Sequence, residues 1–109
     1  RMAAWWAESA DLLLAPTCLR PAPLLGESSG TEDNPWANVH VTLAYSTLTA
    51  PFNTTGQPAI SLPLGRTTDG LPIGVQLVAA YGREDLLIRI AGQLERDHPW
   101  AHERAPIHP

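Results

Sequence analysis

Two runs of alternating aliphatic residues, set on either side of Thr68-Asp69-Gly70, constrain this chain more than any other feature. In the first, Ile60, Leu62 and Leu64 alternate with Ala59, Ser61 and Pro63; in the second, Ile73, Val75 and Leu77 alternate with Gly74 and Gln76. A period of two sends successive side chains to opposite faces of a strand. With Asp-Gly between them, the runs read as an antiparallel pair joined by a loop longer than a two-residue hairpin. One face is branched aliphatic and has to be covered. The other is Ala, Ser, Gly and Gln, which lets a second backbone come close. Pro63 has no N–H to donate, so the ladder should be interrupted there.

Around this pair the rest of the chain falls into order. Gly82 precedes a helical pattern with Glu84 and Asp85 in its first turn, favourable against the helix dipole. Leu86, Leu87, Ile90, Ala91 and Leu94 form its apolar face, and Pro99 ends it. Upstream, Pro51 and Gly56 bracket at most one helical turn, in which Phe52 is expected to enter the core and Asn53 to bond neighbouring backbone. Asn34-Pro35 has the form of a helix start, Asn as cap and Pro in the first position, for a helix to about Tyr45. That helix would carry Trp36, Val39, His40 and Leu43 on one side. Residues 18–34, rich in Pro, Gly, Ser and acids, read as a surface loop. Residues 10–16 (ADLLLAP) are a short apolar run, as in a strand covered on both faces of a parallel or mixed sheet. Residues 1–9 look like the last turns of a helix already under way, with Trp5 and Trp6 as its apolar face, which points to truncation upstream. Residues 99–109 read as an extended or frayed tail.

At 109 residues with 44% apolar and 17% charged side chains, the composition is that of one globular unit. The net charge is −4 with no basic stripe, which argues against a nucleic-acid surface. No apolar run is long enough for a membrane span, no secretory signal is visible, and the single Cys18 forms no internal disulfide. A cytoplasmic setting is therefore expected. All seven cations are Arg, so a mechanism that needs a lysine base cannot be completed by these residues.

Several residue groups invite a chemical reading. Ser28-Ser29-Gly30 resembles a nucleophile motif, yet Gly26, Glu27, Thr31 and Glu32 around it belong to a solvated loop without a base. Cys18 and His40 would make a thiolate–imidazole pair only if the fold joined them; an idle thiol after a strand is the simpler reading. His98 and His102, with His108 nearby, have metal-ligand spacing, but Pro99 breaks the helix that would align them. Asn53-Thr54-Thr55 fits the N-glycosylation pattern without a secretory context. None of these makes a catalytic or metal site, and no cofactor is implied.

The order DLLLAPT, a Pro-rich loop, LTAPFNTTGQPAISLPLG, DGLPIGVQLV and an E-x-x-L-x-x-x-A helix resembles the carboxyl end of the amidase-signature family. The resemblance covers nearly the whole chain and is weakest over residues 20–45. It implies an α/β fold in which a large mixed β-sheet is flanked by helices, with only the C-terminal strands and helices present here. It also implies hydrolysis of carboxamides through an acyl-enzyme by a Ser–cis-Ser–Lys triad that lies upstream of the matched region. On this reading residues 1–109 are the C-terminal fragment of a single amidase-like domain, inactive alone. Its partners are the upstream portion of the same enzyme and a small amide substrate; the unpaired strand edges would also permit a homo-oligomer.

The resemblance further implies that residues 45–49, before the T-x-P-x-N turn, help wall the acyl pocket, with Ser46 and Thr49 as substrate-binding residues. In the A subunit of glutamyl-tRNA amidotransferase, the alternative reading, an Asp stands where Ser46 aligns. Ser46 carries no charge, which favours a less polar amide. A third reading is a stand-alone structural or interaction module.

Overall fold

The computed structural model describes residues 2–8 and 10–103, ordered α1 (Met2–Glu8), β1 (Leu12–Pro16), α2 (Ala37–Ser46), α3 (Ala50–Thr55), β2 (Ala59–Arg66), β3 (Pro72–Ala79) and α4 (Glu84–Asp97). The alternating runs are β2 and β3, antiparallel, with Ile60 opposite Leu77 and Leu62 opposite Val75. The ladder slips between Leu62 and Gly65, where Pro63 has no N–H to give. Residues 67–71 close the pair: Thr67 N–H donates to the Leu71 carbonyl at 2.9 Å, and Gly70 takes φ +87°, a conformation that favours glycine.

β3 is the middle strand. Its second neighbour is β1, also antiparallel, so the sheet order is β1-β3-β2. The α/β class expected from the sequence is therefore what the structure has, among the described residues as a three-stranded antiparallel sheet with four helices. Among the described residues only β3 has strand partners on both sides, and its end is enclosed: Gln76, Leu77, Val78 and Ala79 are all buried. β1 differs from the strand covered on both faces that its apolar run predicted, because Leu14 is 68% exposed.

The core lies between one sheet face and α4. Leu62, Leu77 and Ala79 pack on Leu87 and Ala91, with Leu12, Ile60, Leu64, Ile90 and Leu94 around them. Each fully buried Leu in such a contact stabilises by about 1.5–3 kcal/mol relative to exposure. α4 ends at Asp97, with the His98 N–H on the Leu94 carbonyl at 2.8 Å, ahead of Pro99 as expected. The residues just after Pro99 are not frayed. Trp100 packs against the core and Glu103 pairs with Arg66 on β2; residues 104–109 lie outside the described residues.

Several local expectations change. Asn34 does not cap α2; it forms a reciprocal backbone pair with Thr31, N to O at 3.2 Å each way, and the helix begins two residues after Pro35. The stripe Trp36, Val39 and Leu43 is exposed rather than packed. α3 is six residues long, longer than one turn, with Pro51 in its first turn and Gly56 at φ +77° closing it. Phe52 on α3 is only half-buried, the Asn53 side chain is exposed with no hydrogen bond among the described residues, and neither belongs to the α4 core. No described helix is long and apolar enough to cross a membrane.

Candidate substrate wall

The sheet face opposite α4 carries the small and polar half of the alternation. Gln76 on β3 sits between Ala15 of β1 and Ser61 of β2. Its side chain is 4% exposed, and its Nε2 donates to the Leu48 carbonyl at 3.2 Å. That bond is the close backbone approach which the small face allows. It ties residues 45–49, the end of α2 and the link to α3, to the middle strand. The loop after β1 is latched to the same place. Leu19 N–H donates to the Ala44 carbonyl at 3.0 Å, the Cys18 thiol to the Tyr45 carbonyl at 3.7 Å, and the Tyr45 hydroxyl to the Pro21 carbonyl.

Ser46 and Thr49 therefore stand on a segment held from two sides, and both are half-buried. The Ser46 hydroxyl donates to the Thr42 carbonyl at 2.8 Å, and the Thr49 hydroxyl to the Ser46 carbonyl at 3.2 Å. Carbonyls only accept, so each hydroxyl spends its one proton on the backbone. What remains for a ligand is lone pairs. An edge of this kind accepts an N–H from a carboxamide or an ammonium group and offers nothing to a bare carbonyl.

Beside it, the Thr17 and Ser61 hydroxyls meet at 2.5 Å across the middle strand, directly over Gly74. A Cβ on residue 74 would stand 2.8 Å from each hydroxyl oxygen, so only glycine leaves the space. Thr17, Cys18, Pro21, Tyr45, Ile73 and Gly74 are among the residues lining an apolar concavity of about 580 Å³, which Ser46 and Thr49 do not line. An apolar hollow with a few fixed polar atoms is the usual make-up of a small-molecule pocket.

The other candidates stay apart. Cys18 bonds the Tyr45 carbonyl, and no hydrogen bond joins it to His40. Ser28 and Ser29 lie in the loop, where the Ser29 N–H turns back to the Gly26 carbonyl at 2.9 Å. His98 and His102 line a separate concavity with Arg66 and Glu103, while His108 lies outside the described residues. Among the described residues no three His, Cys, Asp or Glu side chains converge as a metal would require. Thr54 and Thr55 donate back to the Ala50 and Pro51 carbonyls within α3 at 2.9 and 2.6 Å. The shifted carboxyls, Glu27 and Asp85, are surface groups outside residues 45–49. Glu27 is held below its usual range by the Leu24 N–H and then by Arg20, and Asp85 by Arg83. The wall thus contains hydroxyls, an amide and a thiol, but no nucleophile with a base.

Sequence reasoning singled out Ser46 and Thr49 but not Gln76 as a clamp, nor the Thr17–Gly74–Ser61 bridge. The period-two alternation marked Ser61, Gly74 and Gln76 as one face. Which backbone would cover that face was not visible, since the covering segment is 28 residues away from Gln76 in sequence.

A family model described as Amidase matches residues 1–88. The chain is 49% identical over 108 residues to 6-aminohexanoate-cyclic-dimer hydrolases of Pseudomonas sp. (strain NK87) and Paenarthrobacter ureafaciens, covering 94% of this chain and 22% of theirs. It also matches the solved structure of 6-aminohexanoate cyclic dimer hydrolase, at TM-score 0.81 and 48% identity over 94% of this chain and 22% of that one. The chain thus spans about a fifth of the length of these relatives.

Proposed function

The chain belongs to the amidase family, and from that premise we propose that it is the carboxyl-terminal part of an enzyme that hydrolyses carboxamide C–N bonds. The observation that carries this reading is the match to the solved hydrolase, which extends over 94% of the chain in both sequence and shape. In the acyl-enzyme route that the family resemblance implies, a serine oxygen bonds the carboxamide carbon. The C–N bond breaks, the amine leaves with a proton, and water then releases the acid. The sequence has no lysine, so the base of such a triad comes from outside these residues. This chain supplies the sheet, the covering helix and one wall.

In that wall Ser46 and Thr49 accept an N–H of the substrate. Ser46 carries no charge and its neighbour Tyr45 lines an apolar hollow, which together fit an amide with an aliphatic chain. The outer strand edges of β1 and β2, unpaired among the described residues, with Leu14 of β1 at 68% exposure, support the upstream portion of the enzyme as the partner. A cytoplasmic site suits the free thiol of Cys18.

The test is a graft. Replacing the matched segment of a 6-aminohexanoate-cyclic-dimer hydrolase with this chain should give a folded enzyme that still opens an aliphatic amide, while the purified chain alone should hydrolyse none. A folded but inert graft, or an active isolated chain, would refute the proposal.

A further inference from the structure

We infer that Gln76 is a positioning residue: its side-chain amide sets the place of the substrate wall at residues 45–49 from the middle strand of the sheet. Its consequence for turnover rests on the amidase reading above; the clamp itself does not. Gln76 is the only buried residue of polar or charged type among the described residues, and unlike the buried Trp6 indole N–H its side chain has a partner. A buried amide without a partner costs about 1–3 kcal/mol, so a sheet interior keeps one only where a partner is built for it. Here the partner is the Leu48 carbonyl, at 3.2 Å. Leu48 lies between Ser46 and Thr49, the two residues whose hydroxyl protons are spent on backbone carbonyls.

The mechanical logic follows from the two supports. β3 is bonded on both edges and packed by α4, so it is the stiffest element available. Residues 47–49 are a short link between two helices, held locally by the Thr47 N–H on the Leu43 carbonyl and the Thr49 N–H on the Ser46 carbonyl, both at 3.1 Å. Such a link rocks with its helices unless something outside fixes it. Among the described residues, the Gln76 amide is the one side-chain bond from the sheet to this link. A shift of the Leu48 carbonyl carries Ser46 and Thr49 with it, so loss of the clamp weakens substrate binding before it touches bond-breaking.

Gln76→Met keeps the length and volume of the side chain and removes the donor. In the grafted hydrolase it should raise KM for an amide substrate by roughly five- to tenfold with kcat within about twofold, the signature of lost binding rather than lost transition-state contact. In the chain itself, hydrogen exchange at the Thr47 and Thr49 amides should speed up roughly tenfold while the β3 amides keep their protection. Equal loosening of β3 would make Gln76 a packing residue, and an unchanged KM with loosened 47–49 would make the clamp irrelevant to substrate. Either overturns the inference.

If Gln76→Met does not fold, the unaltered chain still decides. A through-bond NMR coupling between Gln76 Nε2 and the Leu48 carbonyl carbon should be present, and its absence refutes the clamp. A graft that is inert with Gln76 in place refutes the amidase reading instead, and the exchange data judge the clamp separately.

Discussion

Replacing Gly74 with Ala tests the bridge over the middle strand. The backbone at residue 74 is not in the left-handed region, so an alanine there meets no conformational obstacle. The obstacle is steric. Its Cβ would lie 2.8 Å from Thr17 Oγ1, 2.8 Å from Ser61 Oγ and 3.2 Å from Thr17 Cβ, each inside ordinary contact distance. The Thr17–Ser61 bond at 2.5 Å has to open to admit the methyl group. Losing that bond costs about 0.5–1.5 kcal/mol. Residual overpacking against β1 and β2 adds about 1–3 kcal/mol. The reduced freedom of the unfolded chain offsets about 0.4–1 kcal/mol. The clash wins, for a net loss of roughly 1–3 kcal/mol. In a domain of this size, thermal unfolding should move down by about 5–15 °C. The decisive comparison is a cycle with Thr17→Ala and Ser61→Ala, each of which removes one hydroxyl. In the doubly substituted background both oxygens are gone, and Gly74→Ala should then cost less than about 1 kcal/mol. If denaturant titration gives the same cost in both backgrounds, the bridge is not what requires glycine.

Two further outcomes follow from packing and charge. Leu77→Ala removes a side chain that is 3% exposed and stands between β3 and α4, so it should cost about 2–5 kcal/mol in chemical denaturation, and a cost under about 1 kcal/mol would show that the core lies elsewhere. The Glu27 carboxyl is held low first by the Leu24 N–H and then by Arg20, so its contribution to folding is present above its unfolded pKa and is lost as pH falls through its lower folded value. In an NMR titration Arg20→Ala should move the Glu27 midpoint only part of the way up, since the Leu24 N–H remains; a midpoint already at the ordinary carboxylate value in the unaltered chain would remove the basis for this turn.

The interior of the fold was legible because its signals are local. Alternation over residues 59–79 dictates two strands and their faces, Pro63 dictates the slip in the ladder, and Leu86, Leu87, Ile90, Ala91 and Leu94 share one helix face whatever lies beneath them. A period is a property of consecutive residues, so it needs no knowledge of the partner. The helix at residues 37–46 shows the limit of the same reasoning. Its apolar stripe was visible, but the stripe faces outward, since periodicity names a face and not what covers it.

The candidate site was legible only as residue types. Ser46 and Thr49 could be pointed to, and the small face of β3 was marked; their chemistry was not. Three pairings of residues far apart in sequence set that chemistry: Gln76 with Leu48, Thr17 with Ser61 over Gly74, and Tyr45 with Pro21. Each depends on where β1 docks against β3 and where the link after α2 comes to rest. The chain alone thus determines its strands, their inward faces and its kinship. Which hydroxyls keep a proton to give, and which carbonyl meets the one buried amide, is decided by tertiary structure, because a hydrogen bond forms only where folding brings donor and acceptor within about 3 Å.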